Sequence, residues 1–207
     1  MLHIPTISEL LSKGETPDVL FWVGCAGSFD DKAQKVTQSF AKILNTININ
    51  YAILGLEESC SGDPARRAGN EFLFQLQAHS NIALFKKYKV TKVITSCPHC
   101  FNIFKNEYPD LGAKFEVYHH TEYLYYLFDS GKLNIEKGYF KGQKITFHDP
   151  CYLGRSNGVY EAPRELLKIL DFDLTEMKRS KSSSLCCGAG GSQMFKEPER
   201  GDKDINI

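Results

Sequence analysis

The 207-residue chain carries no surplus of either charge, with 25 Lys and Arg against 25 Asp and Glu. A face that tracks phosphates would show as an excess of Lys and Arg. No nucleic-acid or anionic-membrane partner is therefore expected. Long apolar runs are also missing: the most apolar stretch, Tyr123 to Phe128, is far shorter than the about 20 residues a membrane span needs, so no integral membrane segment is expected. The opening, Met1 to Leu11, has no basic n-region and no small-residue cleavage site, which argues against secretion and for a cytoplasmic location. In a reducing compartment thiols more often bind metal or do redox chemistry than form structural disulfides. The chain has seven cysteines, an odd number, which counts further against a closed disulfide set.

What remains is an ordinary soluble composition, 42% apolar and 24% charged, long enough to bury a core in one large domain or two small ones. Its organising feature is Leu185-Cys186-Cys187-Gly188-Ala189-Gly190-Gly191. Two adjacent thiols before a glycine-rich turn suit the wrapping of sulfur around a metal centre. The feature has an echo. Cys151 precedes Cys186 by 35 positions and Cys25 precedes Cys60 by the same 35, with Cys60-Ser61-Gly62 standing where Cys186-Cys187-Gly188 stands. The chain reads as one thiol-bearing unit written twice.

The periodicity supports an α/β rhythm. Val19 to Val23 predicts a buried strand running into Gly24-Cys25. A helix from Asp30 to about Asn48 follows, capped by Asp30 or Asp31, with Val36, Phe40, Ile43, Leu44 and Ile47 on one face. Tyr51 to Leu54 predicts a second strand leading to the Cys60 loop. Asp63 and Pro64 suit the start of one long helix over roughly 65–88, which ends in Lys86, Lys87 and Lys89. Val90 to Ser96 predicts a third strand that delivers Cys97-Pro98-His99-Cys100 into a helix. A fourth strand over 115–118 and a short helix over 121–128 complete the first unit. Ile145 to His148 restarts the pattern, with a helix over 163–170 and a strand over 172–177. The fold class expected is α/β: two tandem, pseudo-symmetric units with parallel sheets flanked by helices. Residues 1–130 form the first unit, 131–142 a polar linker and 143–207 a second, incomplete unit. Cys97 lies 37 positions after Cys60, and 37 positions after Cys186 would fall beyond Ile207. The expectation is a fragment that lacks the second Cys-x-x-Cys, with the stretch from Gly201 reading as the opening of a helix.

The first unit supplies four thiols, Cys25, Cys60, Cys97 and Cys100, which can close a tetrahedral zinc site or hold the corners of an iron–sulfur cluster. Spacing leaves these two open. A third alternative is a thioredoxin-like dithiol at Cys97 and Cys100, with the other cysteines in the core. Cys151, Cys186 and Cys187, plus whatever lies beyond the end, exceed what zinc needs and point to iron. Ser61 replaces the second thiol of the first unit, so the two sites should differ in metal or redox behaviour. Arg66 and Arg67 could offset thiolate charge or meet an acidic partner, against the commoner solvent-facing role. His148 and Asp149 could tune sulfur or relay a proton, against capping and turn formation. His99 could coordinate, although a side chain between two ligands usually points outward. His119 and His120 suit packing and surface.

Gly24-Cys25, the Cys60-to-Arg67 stretch, Cys97-Pro98-His99-Cys100, His148-Asp149-Pro150-Cys151-Tyr152-Leu153-Gly154-Arg155 and the Cys186-to-Gly191 stretch resemble the cysteine-rich CCG-domain family. That family includes the B subunit of heterodisulfide reductase and the iron–sulfur subunits of glycolate and lactate oxidation systems. The resemblance implies an oxidoreductase subunit built of paired modules, at least one of which binds a [4Fe-4S] cluster, with zinc or a cluster in a module poorer in cysteine. It implies Cys151, Cys186 and Cys187 as the redox-active, catalytic set, with Gly188 beside the cofactor. Electrons would pass between an iron–sulfur or flavin partner and a disulfide or other acceptor. The competing class is a zinc-stabilised docking module with no redox role.

Overall fold

The computed structural model describes residues 2–191 and Gln193. The helix expected from Gly201 lies outside the described residues. Four strands, β1 (Val19–Trp22), β2 (Tyr51–Ala52), β3 (Lys92–Thr95) and β4 (Glu116–His119), form a wholly parallel sheet in the order β2-β1-β3-β4. A second, two-stranded parallel sheet pairs β5 (Lys144–Ile145) with β6 (Asp173–Leu174). Helices α1 (Ile7–Ser12), α2 (Gly24–Phe29), α3 (Asp31–Thr46), α4 (Asp63–Arg67), α5 (Glu71–Lys87), α6 (Pro98–Asn106), α7 (His120–Asp129) and α8 (Glu161–Ile169) complete the order. The chain is therefore α/β with parallel sheets flanked by helices, as its rhythm predicts.

All four residues of β1 are buried, the mark of a strand covered on both faces. Leu20 and Trp22 point into a core shared with Phe74, Phe85 and Phe104 of α5 and α6. Val19 and Phe21 point the other way, into a core shared with Phe40 and Leu44 of α3 and Tyr123 and Leu127 of α7. Trp22 meets Phe104 edge to face at 4.8 Å and Phe85 at 5.8 Å, within the favoured range for aromatic pairs. The Asp30 carboxylate caps α3 by accepting from the Lys32 and Ala33 amides, as expected.

Four expectations need correction. The single long helix over 65–88 is two helices, because Gly69 turns the chain at φ +85° and Asn70 then caps α5 by accepting from the Leu73 amide at 3.0 Å. Asp63 does not cap with its side chain: it lies in the first turn, after Gly62. Val36 is exposed, and Thr37 and Ala41 take the inward positions beside Phe40 and Leu44. In the second unit the strands expected over 145–148 and 172–177 shorten to the two-residue β5 and β6.

His119 and His120 cross from β4 into α7, with ring centroids 4.4 Å apart. Burial pushes the His120 imidazole down to about 4 and holds His119 well below the usual histidine range, with the neighbouring His120 charge adding to it. Both are neutral when folded and protonate readily when unfolded. At these two sites the unfolded chain binds more protons below about pH 6.5, so their contribution to stability falls as pH drops from there towards 4, opposed by Glu58, which burial pushes up to about 7. Urea titrations of wild type and His120→Phe should diverge across this window, the wild type losing more stability as pH falls; an identical pH dependence in the two would refute the assignment.

Candidate metal centre

The sheet order reverses between β1 and β3, the place where open parallel sheets build their sites beyond the strand ends. Both strands deliver cysteine there. Cys25 follows β1 directly, in the first turn of α2; Cys97 follows β3 and is the N-cap of α6, with Cys100 one turn in. Cys60 arrives from the loop after β2. These four thiols, spread over 76 residues of sequence, line one pocket together with Ser61, Asp63 and His99. All seven cysteines are free thiols. Among the described residues no three Cys, His, Asp or Glu side chains close on a point that could hold a single metal ion. The thiols face a common cavity.

Their electrostatics are those of a cluster of would-be anions. Cys97 is held down to about 6, first by a hydrogen bond from the Cys100 thiol and further by the Cys100 and His99 amides, and Cys100 is correspondingly raised. Burial pushes the Cys25 thiol up, and the charges of Cys60 and Cys97 push it further. Burial raises Cys60 as well, against the amide of Gly62. One thiolate forms easily and the others resist while it stands unneutralised. A bound cationic centre removes that resistance, since thiolate is the form that ligates metal. Ser61 is buried and its hydroxyl accepts from Cys100 Sγ at 3.4 Å.

Polar partners fix the rim. His99 faces into the pocket, contrary to the outward orientation expected, because its Nδ1 lies 2.7 Å from Oδ2 of buried Asp63. Its ring also meets Tyr152 of the second unit at 4.6 Å. Arg66 and Arg67 are committed to carboxylates: Arg66 to Glu107 at 2.5 Å and Glu71 at 3.3 Å, Arg67 to Asp63 at 3.1 Å and to Glu107. They neither point freely to solvent nor reach for sulfur. Sequence reasoning missed Glu107, whose only signal is a position eight residues after His99.

The second set comes together less deeply. Cys151 opens the turn after Pro150, while Cys186 and Cys187 are exposed. Cys151 is raised first by burial and then by the charges of Cys186 and Cys187, so the three share one locality. His148 Nε2 lies 2.9 Å from the Leu185 carbonyl, tying the Cys151 segment to the doublet. Asp149 is structural: it forms a two-pronged pair with buried Arg164 at 2.7 and 2.9 Å and accepts from the Lys181 amide at 2.6 Å. The two cysteine stretches share one local geometry. Gly62 (φ +92°) and Gly188 (φ +76°) take a left-handed conformation that favours glycine, and each amide donates to the sulfur two residues earlier, Cys60 or Cys186, at 3.4 Å. Ala189, Gly190 and Gly191 line the pocket of Cys25, Cys60, Cys97 and Cys100.

Arg164→Met is expected to cost about 3–5 kcal/mol, the usual penalty for removing one partner of a buried ion pair, because Asp149 then loses its counter-charge beside Cys151. Chemical denaturation checks this; a loss below about 1 kcal/mol would show that the pair does not hold the turn.

The comparisons with known proteins fit this geometry. The model of the Cysteine-rich domain family, CCG, matches residues 19–105 and 145–205. The chain is 51% identical over 206 residues to a Bacillus subtilis protein named probable iron-sulfur-binding oxidoreductase FadF, covering 99% of this chain and 29% of that one. It is 43% identical to the EtfAB:quinone oxidoreductase of Syntrophomonas wolfei, over 96% of this chain and 28% of that protein. It is 37% identical to the D-type subunit of the dihydromethanophenazine:CoB–CoM heterodisulfide reductase of Methanosarcina barkeri, over 84% of this chain and 43% of that protein. The chain thus spans less than half the length of these relatives. No solved structure matches it. With the repeated cysteine spacing, the glycine–sulfur contacts and a family match over both stretches, the chain belongs to the CCG cysteine-rich domain family.

Proposed function

We propose that the chain is an iron–sulfur electron-transfer module of a cytoplasmic oxidoreductase, comparable to the B subunit of heterodisulfide reductase. It passes electrons between a protein partner carrying iron–sulfur or flavin and a disulfide or other acceptor. The observation that carries this reading is the convergence of Cys25, Cys60, Cys97 and Cys100 on one pocket at the sheet's switch point. Four thiols on one cavity are a sulfur-rich ligand set of the kind that holds the corners of an iron–sulfur cluster. The printed names of the relatives, two iron–sulfur or quinone oxidoreductases and a heterodisulfide reductase component, support the same class. Among the described residues no helix is long and apolar enough to cross a membrane.

In this reading residues 1–130 and 143–207 are two units joined by 131–142. Cys151, Cys186 and Cys187 hold a [4Fe-4S] cluster and form the redox-active set, with Gly188 beside it; Cys25, Cys60, Cys97 and Cys100 hold zinc or a second cluster. When bound, a cluster supplies one-electron chemistry at a potential set by its ligands, hydrogen bonds and burial. The chain supplies those settings. Gly62 and Gly188 donate amides to ligand sulfur, which lowers the electron density there. Asp63 holds His99 against the first pocket, and burial of Cys100 limits its contact with water.

A second reading, a zinc-stabilised docking module without redox role, is favoured for the first unit by Ser61, which stands where the second unit has a thiol. Metal analysis of anaerobically prepared protein separates them. Iron with matching acid-labile sulfide and broad visible absorption is expected, lost on Cys186→Ala or Cys187→Ala while the metal of the first unit remains. Zinc alone, at one per chain, would overturn the electron-transfer reading.

A further inference from the structure

The repeat register places Cys25 on Cys151, Cys60 on Cys186 and Gly62 on Gly188. The same register places Glu58 on Ser184, Val23 on Asp149 and Gly24 on Pro150. In the first unit the Glu58 carboxylate reaches back to the strand end before Cys25: Oε2 accepts from the Val23 amide at 3.1 Å and Oε1 from the Gly24 amide at 2.6 Å. In the second unit buried Ser184 bonds to the equivalent place with the opposite polarity, its hydroxyl donating to the Asp149 carbonyl at 2.9 Å.

The two residues are chemically unlike, yet each fits its own partner. A carboxylate only accepts, and Gly24 and Val23 present two N–H groups to it. Pro150 has no N–H, so a carboxylate at position 184 would lose one of its two donors and face the Asp149 carbonyl. A hydroxyl can donate to that carbonyl. We infer that Glu58 and Ser184 are equivalent positioning residues, clamps that hold the loop of the first cysteine against the loop of the second in each unit, so fixing the separations of Cys25 from Cys60 and of Cys151 from Cys186. The inference stands on loop geometry and is independent of which metal the thiols hold. Each clamp sits two residues before the second cysteine of its unit and acts within that unit alone.

The experiment is brief anaerobic oxidation of the metal-free full chain by a diazene thiol oxidant, with disulfides mapped by mass spectrometry and the thermal transition recorded for each variant. Glu58→Ala should lower formation of the Cys25–Cys60 pair by about fivefold for each hydrogen bond lost and leave the Cys151–Cys186 pair unchanged. Ser184→Ala should do the reverse, by about fivefold. Ser184→Thr, which keeps the hydroxyl, should restore the second pair, and Glu58→Gln, with one acceptor oxygen in place of two, should fall between wild type and alanine. Should Glu58→Ala fail to give a cooperative transition, Glu58→Gln carries the same comparison. An alanine or glutamine variant that folds and leaves its own pair unchanged, or that lowers both pairs alike, would overturn the assignment.

Discussion

The structure depends on one topological constraint: two parallel strands, β1 and β3, lie side by side and send their following chain to opposite sides of the sheet. Beyond their ends a crevice forms that neither flanking helix layer fills. Cys25 and the Cys97–Cys100 pair sit where those strands stop, so residues more than 70 positions apart meet without any contact made for the purpose. The apolar cores on both faces of the sheet, centred on Trp22 and on Phe21, hold the strands in register and thereby hold the thiols in place. Packing and chemistry are two consequences of the same sheet.

Electrostatics add the second layer. Burial raises Cys25 and Cys60, and the hydrogen bond to Cys97 raises Cys100, with repulsion from the Cys97 thiolate adding to all three. Nearby arginines do not relieve it. Arg66 and Arg67 are tied to Glu107, Asp63 and Glu71, and the charge that favours a thiolate here is that of His99 beside Cys97. The second unit reaches into this arrangement through Tyr152, which meets His99, through the glycines at 190 and 191, and through Asn157, which bonds Asn102 and Asn106 at 3.0 Å each. The two halves are joined at the site.

Much of this was legible in the residues. The buried run of β1 into Cys25, the Asp30 cap and the delivery of Cys-Pro-His-Cys by β3 follow from period and punctuation, and the equal 35-residue spacings point to the two stretches that the family matches. What was not legible depended on partners distant in sequence. The break before α5 escaped because polar and apolar residues are mixed round that helix, leaving Phe72, Leu73 and Leu76 exposed, so no apolar face marks where it begins. The inward turn of His99 needs Asp63, 36 positions earlier, and the service of Glu58 to the Cys25 loop needs amides 34 and 35 positions away. No local rule reports such pairings. The second unit was read too generously, because strands of two residues leave almost no alternation to recognise.

The central claim is the proposal that the chain gathers sulfur to hold an iron–sulfur centre, at Cys151, Cys186 and Cys187 at least. X-ray absorption at the iron edge, on the anaerobically prepared full chain, addresses it most directly. The account predicts a first shell made of sulfur and a second shell of iron at bonding range within one cluster. Iron coordinated mainly by nitrogen or oxygen, or with no iron neighbour, would contradict it.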